Sequence, residues 1–85
     1  MANKNISYSE HASVRIDLKT TYDKEADAAF IYLKGKIAKG EVKSTVSMND
    51  NIILDFDANK KLIGIEILSA SRVVPKKVIE GLNLA

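Results

Sequence analysis

Asp55 and Glu66 are the residues whose types and spacing most readily suggest chemistry. Both lie in NIILDFDANKKLIGIEILSAS, residues 51–71, which reads as two strands joined by a tight turn and leading towards a helix. Side chains alternate across a strand, so Ile52, Leu54 and Phe56 share one face and Ile53, Asp55 and Asp57 the other. On the second strand Ile63, Ile65 and Ile67 oppose Leu62, Gly64 and Glu66. Asp55 and Glu66 therefore occupy diagonal positions on the outer face, with Asp57 further along. Such an oxygen cluster could hold a divalent cation for a metal-dependent enzyme. Pairing with a cation on a neighbouring strand, Arg15 or Lys19, is the commoner meaning of acids so placed and is the preferred reading.

Other candidate groups carry less. Asp23, Glu25 and Asp27 alternate like the start of a calcium loop, but the Gly and the distal Glu of that motif are missing, so turn formation accounts for them better. His11 stands alone, with no second ligand-type residue nearby, and reads as a surface residue. The sequence contains no Gly-rich phosphate loop, HExxH or nucleophile elbow. The expectation is no catalytic residue, no metal and no cofactor. Lys34, Lys36, Lys39 and Lys43 follow a strand bearing Phe30 and Tyr32, a combination that could contact single-stranded nucleic acid. Because these lysines would scatter over both faces of a strand, protection of a solvated edge is preferred, and nucleic acid is the alternative partner.

The elements that must position these groups follow from periodicity. Residues 1–13 are polar apart from Ile6 and Tyr8 and read as a flexible arm or edge strand. Residues 14–85 read as one domain. Val14, Ile16, Leu18, Thr20 and Tyr22 alternate with polar neighbours as a half-buried strand. Asp23 can accept backbone N–H bonds in the turn that follows. Ala28 to Leu33 carries apolar residues on both faces, the pattern of a central strand. Gly35 marks a turn, Gly40 a bulge or bend, and Val42, Ser44, Val46 and Met48 a weaker strand ending at Asn49-Asp50-Asn51.

In the opening hairpin, a loop with an even number of residues, such as Asn59-Lys60, pairs Phe56 with Ile63, Leu54 with Ile65 and Ile52 with Ile67. An odd loop would set Asp55 opposite Ile63. A two-residue loop favours a type I′ turn, with positive φ at both positions. Beyond Leu68 the spacing becomes helical. Val74, Val78 and Leu82 form a stripe joined by Ile79, Pro75 suits a first turn, Ser71 could cap a short preceding turn, and Gly81 could end the helix. The expected fold is α+β: an antiparallel meander of about five strands with one C-terminal helix packed on the sheet.

Two of these segments also carry a resemblance. YDKEADAAFIYL, Tyr22 to Leu33, and LDFDANKKLIGIEILSAS, ending at Ser71, resemble the small prokaryotic family called domain of unknown function 2283. Its members show a Tyr-Asp-x-x-Ala-Asp segment, an Asp-rich strand, a turn and a Gly-Ile-Glu-Ile-Leu run. Members often have Gly where this chain has Lys60. The family is uncharacterised, and the resemblance implies a regulatory or antitoxin-like role, since members are often encoded beside small putative toxins.

Composition bounds the remaining classes. The chain has 85 residues, 46% hydrophobic and 28% charged, a net charge of +2 and no cysteine. That is the profile of an ordinary globular domain, without a disulfide framework or thiolate zinc site. No apolar run is long enough to span a bilayer, and MANKNISYSE lacks a hydrophobic signal segment, so a cytoplasmic protein with no membrane partner is expected. One helix cannot cover both faces of the sheet. The expectation is an interaction or regulatory module that forms a homodimer or binds a small protein, with Phe30, Tyr32, Ile53 and Leu62 left outward as contact residues.

Overall fold

The computed structural model describes residues 18–84. The N-terminal arm, His11, Arg15 and the start of the first expected strand lie outside them. Among the described residues five strands form one antiparallel sheet: β1 (Lys19–Asp23), β2 (Ala28–Tyr32), β3 (Ser44–Met48), β4 (Ile52–Phe56) and β5 (Leu62–Leu68). Their spatial order is β1-β2-β5-β4-β3, which corrects the expected meander. β5 has been inserted between β2 and β4, and β2 reaches β3 by a Greek-key connection.

The reason lies in what β5 carries. With neighbours on both sides, Ile67 sits between Ile52 and Ala29, and Ile65 between Leu54 and Ile31. A meander would leave β5 at an edge with one side of each isoleucine bare. The connection 33–43 must cross about 14 Å, three strand spacings, which its length easily allows. Gly35 and Gly40 turn it with φ of 81° and 80°, a region open to glycine at little steric cost.

The hairpin between β4 and β5 reaches the expected pairs by another route. Ile52 faces Ile67 and Leu54 faces Ile65, as alternation required, but Phe56 faces Leu62 and not Ile63. Asp57 N–H donates to the Lys61 carbonyl at 2.9 Å, leaving Ala58, Asn59 and Lys60 as a three-residue loop. Lys60 has φ 64°, whereas Asn59 is not among the positive-φ residues. A type I turn followed by a left-handed residue fits this pattern. The odd loop is compensated by a bulge in which Ile63 is the extra residue, so the apolar faces still meet. Positive φ at two successive positions occurs instead at Asn49 and Asp50, 55° and 62°, between β3 and β4.

The C-terminal region also differs from a continuous helix. It forms two short pieces, α1 (Ala70–Val73) and α2 (Lys76–Glu80). Val74 between them is extended, with φ −118° and ψ 156°, because the ring of Pro75 disfavours helical geometry in the preceding residue. Tyr22, Ala29, Ile67 and Ala70 form the buried cluster, against which Ile31, Ile65, Val74, Ile79 and Leu82 pack. Val78, expected on the buried stripe, is 47% exposed, since the break at Pro75 rotates α2 relative to a straight helix.

Candidate functional site

The densest polar constellation joins the two ends of the motif-bearing segments. Asp27 closes the β1–β2 turn with φ 52°. Its backbone carbonyl accepts Ala70 N–H at 2.8 Å. One carboxylate oxygen accepts Tyr22 O–H at 2.6 Å and Ser71 N–H at 3.0 Å, and the other accepts the Ser71 hydroxyl at 2.6 Å. Ser69, at the N-cap of α1, is left-handed and makes no side-chain cap bond. Asp27 thus satisfies the first N–H groups of α1 from the neighbouring β1–β2 turn, a task normally done by the cap residue itself.

Electrostatics follow from those bonds. The bonds from Ser71 and then Tyr22 hold the Asp27 carboxyl below its ordinary 3.8, with Arg72 adding a smaller contribution. The bond to Asp27 pushes the Tyr22 phenol above its ordinary 10.0, aided by burial and by the charges of Asp27 and Asp23. A depressed acid bonded to a raised phenol and a hydroxyl could resemble a catalytic triad. Each group is instead occupied in joining β1, the turn and α1, and the described residues enclose no pocket beside them. Asp23 serves the same turn, accepting Ala26 N–H at 3.1 Å as its position suggested.

Asp55 and Glu66 do share a face, the one opposite the helical segments. Ile53 pairs with Glu66, and Asp55 with Gly64 on the next row. Asp55 accepts the Thr45 hydroxyl at 3.0 Å from β3. Lys19 lies across the sheet, with Nζ 5.7 Å from the centre of the Tyr32 ring. Asp57 is turned into its own loop, accepting the N–H groups of Asn59 at 2.8 Å and Lys61 at 2.9 Å. Burial, and secondarily the charge of Asp55, lifts the Glu66 carboxyl above its ordinary 4.5. Among the described residues no group of three or more His, Cys, Asp or Glu side chains is placed to hold a metal ion.

Three expected contact residues gather on that same face. Phe30 and Ile53 flank Glu66 in one row, and Tyr32 stands beside Gly64 in the next. The Phe30 and Tyr32 rings stack, with centroids 6.2 Å apart and planes 14° from parallel. All three are half-buried. Leu62 is separated from them because the bulge pairs it with Phe56, and it is 36% exposed. Among the crossing lysines, Lys34 is paired with Glu41, which also accepts Ala38 N–H at 2.8 Å. Lys36, Lys39 and Lys43 are exposed, as are Lys60 in the hairpin loop and Lys61 just after it, at the same end of the sheet.

A second apolar surface lies on the helix-bearing face. Val46 pairs with Leu54 and Met48 with Ile52, beyond the residues that pack on the buried cluster. Val46 is 49% exposed and Met48 46%. The alternation of Val46 and Met48 signalled a strand, but their exposure follows from the place of β3 at the sheet edge.

The comparisons with known proteins bear on the same segments. The chain is 39% identical over 56 residues to the uncharacterized protein MJ0789 of Methanocaldococcus jannaschii, across 66% of this chain and 44% of that protein. It therefore spans less than half the length of this relative. No solved structure matches it. No helix among the described residues is long and apolar enough to cross a membrane. Residues 19–71 match the family described as protein of unknown function (DUF2283), a span running from the first residue of β1 to the serine that closes the Asp27 bonds, and the chain belongs to that family.

Proposed function

We propose that the chain is a non-catalytic protein-binding module acting in the cytoplasm, whose contact surface is the half of the helix-bearing face that no other described residue covers. The observation that carries this reading is the exposure of Val46 and Met48 beside half-buried Ile52 and Leu54. Large apolar side chains adjoining on one face, with no covering element among the described residues, mark an interaction surface. The polar residues of the family signature support it indirectly, since Tyr22, Asp27 and Ser71 are engaged with one another. The partner in this reading is a small regulatory protein.

Capture from cells of the source organism tests the proposal, using the tagged full chain and a Val46→Glu/Met48→Glu variant checked for an unchanged circular dichroism spectrum. A protein retained by the wild type and lost by the variant is the expected result. Equal retention by both would move the surface elsewhere, with Phe30, Tyr32, Ile53 and Leu62 the next to replace. A second reading, single-stranded nucleic acid, draws on exposed Lys36, Lys39, Lys43, Lys60 and Lys61 at one end of the sheet. Fluorescence anisotropy with a labelled oligonucleotide distinguishes it, since saturable, salt-dependent binding lost on replacing these lysines would favour that reading. A cation site at Asp55 and Glu66 is the weakest reading, and calorimetric titration with magnesium, calcium and manganese is expected to give no saturable isotherm.

A further inference from the structure

We infer that the partner of this surface is a second copy of the chain, joined edge to edge through β3 in antiparallel register about a two-fold axis at Val46. The inference rests on the protein-binding reading above and names its occupant. Three observations carry it.

The two edges of the sheet are treated differently. β1 begins and ends on charges, Lys19 and Asp23, and its outer edge is met by the C-terminal segment: Tyr22 N–H donates to the Asn83 carbonyl at 2.6 Å, and Tyr22 bridges Leu84. β3, Ser44-Thr45-Val46-Ser47-Met48, contains no charge and no proline. All five of its residues are exposed, and among the described residues no strand pairs with its outer side. An edge lacking the usual protections is open to strand addition.

The side chains of β3 are also self-complementary. Directly paired residues in an antiparallel ladder share a face. An axis at Val46 sets Val46 opposite its own copy, Ser44 opposite Met48 and Thr45 opposite Ser47, which uses the whole strand. A slip of one residue would set Val46 opposite Ser47 or Thr45, residues of the other face. In the chosen register the row Ile31, Ile65, Leu54, Val46 continues into the same row of the second copy, so the outer flank of Val46, bare in one chain, packs against its copy.

Charge then favours a second copy over an unrelated strand. Lys43 immediately precedes β3, and Asp50 lies just past its end in the Asn49-Asp50-Asn51 turn. Antiparallel pairing about Val46 brings Lys43 of each copy to the Asn49-Asp50 turn at the end of the other copy's β3, giving two equivalent opposite-charge contacts at the rim.

Light scattering and thiol crosslinking on the full chain test this together. The native sequence has no cysteine, so Val46→Cys introduces one thiol per chain. Residues directly opposite in a ladder have Cβ atoms about 4.5–5.5 Å apart, close to what a disulfide spans. The expected mass in solution is near twice 9.3 kDa. Mild oxidation should link Val46→Cys chains at least about tenfold faster than Lys24→Cys chains, whose thiol would sit in the distant β1–β2 turn, because pairing raises the effective thiol concentration. Should Val46→Cys fail to fold, a mixture of Ser44→Cys and Met48→Cys chains, which the register places opposite each other, replaces it. Lys43→Glu should weaken the dimer about threefold, and adding Asp50→Lys should recover it. A doubled mass with no preference for the Val46→Cys link would overturn this interface while leaving the protein-binding reading to another surface. A mass of one chain at every concentration would overturn the second copy as partner, and capture of a different protein would then decide the broader reading.

Discussion

Asp27 and Ser71, 44 residues apart in sequence, are joined by two hydrogen bonds of 2.6 and 3.0 Å, one to the serine hydroxyl and one to its backbone N–H. With the Ala70 bond to the Asp27 carbonyl at 2.8 Å, they fix the entry of the chain into α1. Asp27→Asn tolerates the left-handed backbone at this position, removes the charge and turns one of the two accepting oxygens into a donor. The expected outcome is a lower melting temperature than wild type, with a smaller loss for Ser71→Ala, which leaves the backbone bonds intact. Thermal denaturation followed by circular dichroism checks the order, and equal melting of wild type and Asp27→Asn would remove Asp27 from its capping role.

Linkage gives this contact a pH signature at both ends of the scale. Asp27 is depressed in the folded protein, so its contribution is present above the ordinary 3.8 and is lost as pH falls through the lower folded value. Tyr22 is raised, so its contribution is present below 10.0 and is lost as pH rises through the higher folded value. Tyr22→Phe should therefore flatten the alkaline limb of a stability-versus-pH profile while leaving much of the acid limb. Urea denaturation across the pH range reads this directly, and an unchanged alkaline limb would separate Tyr22 from the effect.

Lys60 adopts φ 64° in the hairpin loop, where a side chain is disfavoured and glycine is not. Lys60→Gly is expected to stabilise the fold by about 1 kcal/mol, the usual steric penalty of a left-handed residue less the extra backbone entropy of glycine. The checking measurement is the midpoint of chemical denaturation. A neutral or lower midpoint would mean that the stem of Lys60 contributes packing that its exposure does not suggest.

Gly64 lies beneath the crossing connection. A Cβ added there would stand 3.1 Å from Ile37 Cδ1 and 3.5 Å from an Asp55 carboxylate oxygen. Gly64→Ala should cost about 1 kcal/mol through this overpacking, and Ile37→Val, which removes the clashing methyl, should lessen the cost. A double-mutant cycle in urea measures the coupling. Strictly additive effects would show that the connection yields without cost.

Local chemistry in the sequence determined the strand stretches from Ala28 onward, the outward placement of Asp55 and Glu66, and the pairs Ile52–Ile67 and Leu54–Ile65. It also determined the turn at Asn49-Asp50-Asn51 and the role of Asp23, since each depends on neighbours a few residues away. The break at Val74–Pro75 was encoded just as locally, in the proline itself, although the spacing of Val74, Val78 and Leu82 suggested one continuous stripe. Alternation says which face a residue takes but not which strand lies beside it. Only the tertiary structure decided that β5 stands between β2 and β4, because that arrangement gives Ile65 and Ile67 apolar neighbours on both sides. The bulge at Ile63 is likewise a settlement between an odd loop and an apolar face that could not be turned outward. Tyr22 and Ser71 belonged to the two recognisable segments, yet nothing in their spacing revealed that Asp27 would join them. A contact between residues so far apart in the chain is selected by how the whole sheet closes.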